Sequence, residues 1–400
     1  MCPMSVQVPI FLDNHSTTRV DPRVLDVMLP FFTEQFGNAG STSHVLGWDA
    51  NEAVEQSRQT IASAIGASPR EIVFTSGATE SCNLALRGVA DRRRRRGDHL
   101  VSVVTEHKAV LDPLQRLHAR GFEITFLPVG QDGSSLPGWL NPGLVQDAIR
   151  DDTLLVSVML ANNEIGILQP VAEIAKICKQ HGVLLHCDAT QAVGKVPVDV
   201  DQLQVDLMSF SAHKLYGPKG VGALYVRRRE PQVRLTPLIE GGGQELGRRS
   251  GTLNVPGIVG FARALQLCMD EMESEQRRVA ELRQALFEGL SSLSDVCLNG
   301  PGWTDLNVRL AGNLNMRFRG VEGESLMLSM PDVAVSSGSA CTSVNPEPSH
   351  VLRALGMSDD ETRSSLRFGV GRFNTQEEIE YVVTALSEAV DRLRAMNSSP

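Results

Sequence analysis

The amino-acid sequence predicts an α/β protein, with a mostly parallel sheet covered by helices and a smaller α+β domain. Through the first two-thirds of the 400 residues, short apolar runs alternate with amphipathic helical stretches. Near-continuous apolar strands separated by helices are typical of a parallel sheet that is buried on both faces. A chain of this length is also long for one hydrophobic core, so we expect two domains.

The predicted strands of the large sheet are short apolar runs. They are Glu71–Thr75, Leu100–Thr105, Glu123–Leu127, Thr153–Leu160, Val183–Asp188, Val205–Phe210 and Gly222–Val226. Between two of them, the stretch Val171–His181 has apolar residues at positions 171, 174, 175 and 178, which is the spacing of one helix face. Sheets of this kind bind ligands at the carboxyl ends of their strands, so polar residues at those ends deserve inspection.

The pattern changes after Pro256, where strands become fewer and helices longer. The elements predicted there are a helix Ile258–Leu290, strands Asn313–Phe318 and Ser365–Gly369, and a final helix near Gln376–Met396. We therefore expect a large domain over residues 19–256. A small α+β domain is expected to combine residues 1–18 with residues 257–400.

The formal net charge of −9 argues against non-specific binding to nucleic acid or to an anionic membrane. One basic run, Arg92–Arg96, stands against that trend, because such a run can contact a phosphate backbone or an acidic protein. The run also fits a solvated helix end before the turn Gly97-Asp98, and we favour that interpretation. We expect no nucleic-acid partner.

No apolar run approaches the roughly 18 residues that a membrane-spanning helix needs. The segment from Met1 to Asn14 lacks the basic start and the long apolar stretch of a secretory signal. We therefore expect a cytoplasmic protein with no membrane contact. The seven cysteines are scattered and form no C-x-x-C pair, so the sequence predicts neither a metal site nor a disulfide framework.

Lys214 ends the segment Ser211–Lys214, which directly follows the apolar run VDLMSF. A lysine just past the end of a buried strand lies where the sheet delivers ligands, and its amine can bind a carbonyl cofactor covalently. Such a cofactor also needs anchors for its phosphate and a partner for its ring nitrogen. By itself the segment fits a surface lysine better, so the interpretation as a cofactor lysine depends on other polar segments at the strand ends.

The first companion is the segment Thr75–Glu80, which runs from a strand into a helix. Its small residues, including Ala78 and Thr79, let backbone N–H groups approach a phosphate, and the helix N-terminus adds a favourable partial charge. Ser76 and Thr79 are also good helix caps. Taken alone, the segment therefore fits a capped helix without a ligand.

Two further polar residues, Asp188 and His107, follow apolar strands. A carboxylate at position 188 can pair with a protonated ring nitrogen, and the ring of His107 can stack on a flat cofactor. Each signal is weak alone, since acidic residues are common at strand ends and most single histidines are simply hydrogen-bonded. Four polar clusters at the strand ends of one sheet nevertheless favour a cofactor site.

Several segments together resemble the cysteine desulfurases, which are fold-type I pyridoxal-phosphate (PLP) enzymes of the class V aminotransferase group. The motifs are TSGATES, TEHKAVL, NNEIG, DATQAVGK, DLMSFSAHKLYGPKG, GGGQE with RRSGT, VEGES, AVSSGSACTS and SLRFGVGRF. They occur in the order and spacing of that family, from about Ile10 to Arg394. The resemblance is closest to the housekeeping and nitrogen-fixation type that serves iron–sulfur assembly.

The resemblance implies PLP as the cofactor, bound covalently by Lys214 in the large domain, residues 19–256. It implies that His107 stacks on the ring and helps proton transfer. Asp188 would face the pyridinium nitrogen, with Gln191 and Asn163 near the ring hydroxyl.

The resemblance also implies how phosphate and substrate are held. The phosphate ligands would be Ala78, Thr79, Ser211 and His213. Thr252 would reach the phosphate of the other subunit, because the family completes its site across a homodimer. Arg367 would clamp the carboxylate of L-cysteine with its bidentate fork, next to Asn163.

Cys341 lies among small residues in VSSGSACTS, with Asn345-Pro-Glu-Pro after it. Such a stretch is typical of a mobile loop, which leaves a thiol free to react and to move. By composition alone, an incidental loop cysteine is as good an interpretation. The resemblance implies that the Cys341 thiolate attacks the substrate sulfur, which gives L-alanine and a persulfide. That sulfur would pass to an acceptor protein, an iron–sulfur scaffold or a sulfur carrier.

Three features depart from the family pattern or decide little. His15-Ser16 stands where tyrosine or asparagine, followed by alanine or serine, is more usual, and we expect altered packing without lost activity. Gln244 occupies a position that is histidine or glutamine among relatives. The sequence ends at Pro400, without the further tail that housekeeping members use to dock a scaffold, so the chemistry is better supported than the delivery of sulfur.

Other functions predict different behaviour. A selenocysteine lyase shares the scaffold and is the nearest alternative. An ordinary aminotransferase would transfer the amino group to a keto acid and would not need Cys341. An α/β binding protein, with Arg92–Arg96 against an acidic partner, would carry no chromophore.

Overall fold

The computed structural model describes residues 6–93, 96–229, 232–302, 308–337 and 347–397. The strands are β1 (Ile10–Phe11), β2 (Ile72–Thr75), β3 (His99–Val103), β4 (Glu123–Leu127), β5 (Thr153–Met159), β6 (Leu184–Asp188), β7 (Leu207–Ser211), β8 (Gly222–Val226), β9 (Val296–Leu298), β10 (Asn313–Phe318), β11 (Val333–Ala334) and β12 (Ser365–Gly369). The helices are α1 (Pro22–Met28), α2 (Pro30–Thr33), α3 (Val45–Ala64), α4 (Ala78–Arg93), α5 (Lys108–His118), α6 (Pro142–Ala148), α7 (Val171–Gln180), α8 (Val200–Leu203), α9 (Val255–Ser291), α10 (Gly323–Ser329), α11 (His350–Ala354), α12 (Asp359–Arg363) and α13 (Gln376–Asn397).

Seven strands form the larger sheet, in the order β2-β8-β7-β6-β5-β3-β4. Only β8 runs against its neighbours; the other six strands point the same way. All seven strands predicted from the sequence are present, with ends that differ by two residues or fewer. The predicted mostly parallel sheet is therefore confirmed.

Helices cover both faces of this sheet, because successive strand residues point to opposite sides. Val73 and Leu155 pack with residues of α4 and α5 on one face. Their neighbours Phe74 and Val156 pack on the other face with residues of α3, α7 and the first half of α9. Burial on both sides explains why the strands are nearly continuous apolar runs rather than alternating ones.

One polar residue within the sheet, His186 of β6, is fully buried. Its Nδ1 lies 2.8 Å from the hydroxyl of Ser157 on β5, and its Nε2 lies 2.9 Å from the hydroxyl of Ser209 on β7. Burial lowers the pKa of His186 to about 4. The imidazole is therefore neutral at neutral pH and links three adjacent strands.

A second sheet has three antiparallel strands in the order β12-β10-β9 and packs against α13 and the second half of α9. Beside it, β1 pairs in parallel with β11 through Ile10 and Val333, so the N-terminal segment joins this part of the molecule. The sequence did not predict β1, β9 or β11, because strands of two or three residues are too short to show periodicity.

The 37-residue helix α9 connects the two hydrophobic cores. Phe261 and Leu265 pack in the core of the larger sheet, whereas Leu286 and Leu290 pack in the core of the smaller sheet. The helix begins before the predicted Ile258 because Asn254 caps it, accepting a hydrogen bond of 3.1 Å from the Gly257 N–H.

Within the described ranges, none of the helices is both long enough and apolar enough to cross a membrane. The same part of the chain contains no group of three histidine, cysteine or acidic side chains arranged to hold a metal ion.

Candidate active site

A cavity of about 510 Å³ lies at the edge of the larger sheet where β2, β3, β5, β6 and β7 end. The sequence-predicted residues that line it are Ala78, Thr79, His107, Asn163, Asp188, Gln191, Ser211, His213, Lys214 and Arg367. Thr252 does not line the cavity, and it is exposed. Cys341 lies outside the described residues. The structure therefore brings together residues from along most of the chain.

Lys214 ends a single 3₁₀ turn, Ala212–Lys214, that follows β7. Its Nζ donates hydrogen bonds to the backbone carbonyls of His15, at 2.6 Å, and of Ser16, at 2.5 Å. Both carbonyls belong to the segment that follows β1. The N-terminal segment thus holds the Lys214 side chain through two backbone carbonyls.

The opposite end of the cavity is built from the turn between β2 and α4. The first backbone N–H groups of α4, starting at Ala78, have no acceptor within the helix, and they make its N-terminus a site for an anion. Gly77 has φ of +149°, and a side chain there would approach the Ser211 hydroxyl. Backbone donors and the hydroxyls of Thr79 and Ser211 therefore suit a phosphate.

Two titratable side chains next to this cradle do not oppose an anion. Glu80 accepts a hydrogen bond of 2.7 Å from the Ser76 N–H and pairs with Arg249 at 2.9 Å, so its charge is compensated. Burial, together with the nearby Lys214, lowers the pKa of His213 to about 4. His213 can therefore offer a hydrogen bond to a phosphate but not a full charge.

Asp188 is the last residue of β6, and its side chain is buried. Its Oδ1 accepts hydrogen bonds from the backbone N–H of Thr190, at 3.0 Å, and from the Thr190 hydroxyl. The Sγ of Cys82, on α4, lies 3.8 Å from Oδ2. Burial and the charge of Asp188 raise the pKa of Cys82, so this thiol keeps its proton and acts as a donor. These contacts fix the direction of the carboxylate.

His107 precedes α5 and caps it, because its Nδ1 accepts a hydrogen bond of 3.0 Å from the Ala109 N–H. A backbone N–H can only donate, so in the neutral ring the proton is on Nε2. Burial lowers the pKa of His107; the carboxylate of Asp188 works against this shift and Lys214 adds to it. The residue is therefore a neutral imidazole at neutral pH.

Arg367 reaches the cavity from β12 in the smaller sheet. Its Nη2 pairs with Asp13 at 2.8 Å, and its Nη1 donates to the backbone carbonyl of Asn163 at 3.2 Å. Its Nε has no acceptor among the described residues. The guanidinium is thus held by Asp13 and Asn163 at the wall of the Lys214 cavity.

A family model described as aminotransferase class V matches residues 10–382. The chain belongs to this family. The cysteine desulfurase IscS of Anaeromyxobacter dehalogenans (strain 2CP-C) is 54% identical over 98% of this chain and 95% of its own length. The probable mitochondrial cysteine desulfurase of Schizosaccharomyces pombe is 53% identical over 97% of this chain and 76% of its own length. Within the class V aminotransferases, the chain therefore belongs to the cysteine desulfurases.

Solved structures of similar proteins agree with this assignment. A NifS-like protein matches with a TM-score of 0.87 at 37% identity, covering 96% of this chain and 99% of its own. A structure of SspA in complex with cysteine matches with a TM-score of 0.79 at 35% identity, covering 91% of this chain and 99% of its own. The fold-type I architecture expected from the sequence is thus confirmed.

This member of the class V aminotransferase family also has cavity residues that were not among the predicted site residues, chiefly His15, Ser16 and Thr17. They follow β1, which is only two residues long, so the strand-end signal was weak there. The polar run DNHSTT after the apolar residues IFL was the available clue. His15 is buried, and its Nε2 has no hydrogen-bond partner among the described residues.

Proposed function

We propose that this cysteine desulfurase binds PLP on Lys214 and converts L-cysteine to L-alanine, leaving a persulfide on Cys341. The observation that carries the proposal is the meeting of Lys214, Asp188 and His107 in one cavity, with Arg367 at its wall. A covalent anchor, a carboxylate for a ring nitrogen and a site for the substrate carboxylate are the groups that this chemistry needs. The names of the relatives, and the SspA structure with cysteine, support the substrate.

The donors and charges of the cavity fit PLP. The α4 N-terminus, Thr79, Ser211 and His213 would hold its phosphate, and Asp188 would pair with its ring nitrogen. When bound, PLP supplies an electron-withdrawing ring that stabilises the negative charge left when the substrate loses its α-proton.

The chain's own side chains would move the protons and bind the substrate. Lys214 Nζ would accept the α-proton and return it to the product, and the Nε2–H of His107 would supply a second proton. Arg367, at the cavity wall, would bind the substrate carboxylate next to Asn163.

The position of Cys341 in the sequence agrees with a role at this cavity. Ser336, five residues earlier, exchanges backbone hydrogen bonds with Arg367. On the other side, the Nε2 of His350 lies 2.8 Å from the carbonyl of Glu106, next to His107. Five residues span at most about 17 Å. A thiol within that reach of Arg367 can approach a substrate bound there.

We further propose that two copies assemble, as the sequence resemblance implies. Five large apolar side chains between residues 29 and 48 are each more than half exposed: Leu29, Phe32, Phe36, Val45 and Trp48. Apolar groups clustered on a surface favour association with another protein surface. Thr252 is also exposed, which is required if it is to reach the partner's phosphate site.

The proposal extends to three features of the whole protein. We propose a large domain over residues 19–256 and a small domain over residues 1–18 and 257–400. The two cores follow this division except for the first half of α9 and for residues including Leu310, Leu352 and Leu355, which pack in the core of the larger sheet. Among the described residues the cysteines are free thiols, which suits the reducing cytoplasm. An iron–sulfur scaffold or a sulfur carrier would receive the persulfide sulfur.

The absorption spectrum of the purified protein is the first test. We expect a visible band from bound PLP in the native chain and its loss in Lys214→Ala. The exposed Lys176→Met variant, on α7, should keep the band. A native chain that shows no such band after incubation with PLP would overturn the cofactor assignment.

Product analysis then separates the alternatives. We expect alanine and sulfide from L-cysteine with a reductant present, and loss of this turnover in Cys341→Ala. Selenocysteine turnover that survives Cys341→Ala while cysteine is not used by either protein would favour a selenocysteine lyase. Keto-acid-dependent amino transfer that is independent of Cys341 would favour an ordinary aminotransferase.

A further inference from the structure

Gln191 lines the candidate active site and is hydrogen-bonded to Lys195, which lines a second, smaller cavity. The smaller cavity has a volume of about 50 Å³ and lies between α9 and the turn that follows β6. Gln191 lines the larger cavity, Lys195 lines the smaller one, and His15 lines both. Lys195 is therefore close to the site without being part of its surface.

The side-chain amide of Gln191 has one possible orientation. Its Oε1 accepts a hydrogen bond of 2.8 Å from Lys195 Nζ, and its Nε2 donates one of 2.8 Å to the backbone carbonyl of His15. An ammonium can only donate and a carbonyl can only accept, so each contact independently identifies the amide atom that faces it. Exchanging the two atoms would break both hydrogen bonds.

The same contacts determine the tautomer of His15. Its Nδ1 lies 3.2 Å from Gln191 Oε1, which is an acceptor, so Nδ1 carries the proton. Burial lowers the pKa of His15, and the charges of Lys195, Arg367 and Lys214 lower it further. His15 is therefore neutral and donates to the same oxygen as Lys195.

The surroundings of Lys195 explain why it holds this position. Its backbone carbonyl accepts a hydrogen bond from the Gln276 side chain on α9. The charged and titratable groups around it are Glu275 and Cys268 on α9, Arg367 on β12 and His15. Burial lowers the pKa of Lys195 to about 8, with Arg367 adding to the shift and Glu275 opposing it. The side chain remains a donor whether or not it is charged.

We propose that Lys195 is a positioning residue that holds the N–H side of the Gln191 amide toward the active site. With Oε1 bound to Lys195 and His15, Gln191 can offer only a donor to a ligand in the larger cavity. This inference rests on the proposed function and on the family resemblance, which implies that Gln191 lies near the ring hydroxyl of PLP. Without Lys195, the only contacts among the described residues that hold the amide are the two with His15, so its N–H side is kept toward the ring oxygen less firmly.

Hydrogen exchange of the Gln191 side-chain amide, measured by NMR on the full chain, tests the contact without relying on turnover. The signal is identified by its absence in Gln191→Ala. We expect exchange to become about tenfold faster in Lys195→Met, which keeps the length of the side chain but removes the donor. Lys195→Arg, which keeps a donor, and the exposed Lys176→Met should exchange at the native rate.

The dissociation constant of PLP tests the consequence for the site. We expect Lys195→Met to raise it about tenfold, the effect of one lost hydrogen bond. In a Gln191→Ala background, Lys195→Met should cause no further change, because the group that it positions is already absent. A merely structural role would weaken binding in both backgrounds.

Three results would overturn the inference. The first is an unchanged exchange rate in Lys195→Met. The second is an equal effect of Lys195→Met on the dissociation constant of PLP with and without Gln191. The third is a loss of PLP affinity in Lys195→Arg as large as in Lys195→Met. Failure of the native chain to bind PLP would instead overturn the proposed function, and the exchange measurement would still report on the contact between Lys195 and Gln191.

Discussion

Single residues at the candidate site are held in place by hydrogen bonds to their neighbours. Hydrogen bonds from Thr190 and Cys82 orient the carboxylate of Asp188, and a hydrogen bond from the Ala109 N–H orients the ring of His107. Nearby, burial and the charge of Asp188 raise the pKa of Glu106, so this carboxyl ionises less readily than an exposed one. A neighbour that ionises less readily competes less with Asp188, which suits a carboxylate proposed to bind a protonated ring nitrogen.

Asp188→Asn tests this role. Asparagine keeps the shape of the side chain but loses its charge, and removal of one partner of a buried ion pair costs about 3–5 kcal/mol. We expect the kcat for alanine formation to fall about a hundredfold or more. The exposed Asp147→Asn, on α6, should behave as the native chain does. A kcat in Asp188→Asn equal to that of the native chain would show that this carboxylate does not act on the cofactor.

Residue types at strand ends were predictable, and residue pairs distant in sequence were not. Lys214, Asp188, His107 and Thr79 follow apolar runs, so their placement could be read from the sequence. The contact of Gln191 with His15 joins residues 176 positions apart, and no local pattern indicates it. His15 was interpreted only as a departure from the family pattern, although its carbonyl accepts from Lys214.

At the scale of elements, burial on both faces made the larger sheet predictable. Strands such as β5, with every residue buried, are long enough to stand out from the helices between them. The short strands β1, β9 and β11 depend on tertiary pairing, which a local pattern does not encode. The pairing of β1 with β11 brings the His15 segment to the cavity.

The His186 contacts across β5, β6 and β7 predict a pH dependence of stability. The pKa of His186 is about 4 in the folded protein, against an ordinary value of 6.5. The unfolded state therefore binds the proton more strongly, so the free energy of unfolding falls as pH drops from 6.5 toward 4. A shift of this size corresponds to about 3 kcal/mol.

Urea unfolding of His186→Gln at several pH values checks this expectation. In this variant the fall in unfolding free energy between pH 6.5 and 4 should be smaller by the contribution of His186. The exposed His181→Gln should show the same fall as the native chain. The same slope of unfolding free energy with pH in native chain and His186→Gln would contradict the assignment of a neutral, buried imidazole.

At the scale of the whole molecule, the site depends on both sheets. Lys214 and Asp188 come from the larger sheet, Arg367 comes from the smaller one, and α9 packs in both cores. The assembly of two chains adds Thr252 in the proposed function. The contribution of both sheets to the site could be predicted only in outline, because the contacts between the two cores join residues that are distant in the sequence.

Sedimentation equilibrium tests the assembly. We expect the native protein to have twice the mass of a single chain. The double variant Phe36→Asp/Trp48→Asp should have the mass of a single chain and little cysteine turnover, because charged side chains oppose burial of this surface. Leu328→Asp, at an exposed apolar residue of α10, is the matched control and should remain a dimer. A native monomer with full turnover would show that the site is complete in one chain.

The central claim, that Lys214 and Cys341 act in one reaction, is tested most directly by mass spectrometry of the PLP-bound protein after a brief incubation with L-cysteine. We expect the peptide that contains Cys341 to gain the mass of one sulfur atom, and to lose it on treatment with a reductant. The gain should be absent in Lys214→Ala and present in Lys176→Met. Turnover of L-cysteine to L-alanine with no sulfur on Cys341, or with sulfur on another cysteine, would contradict the account.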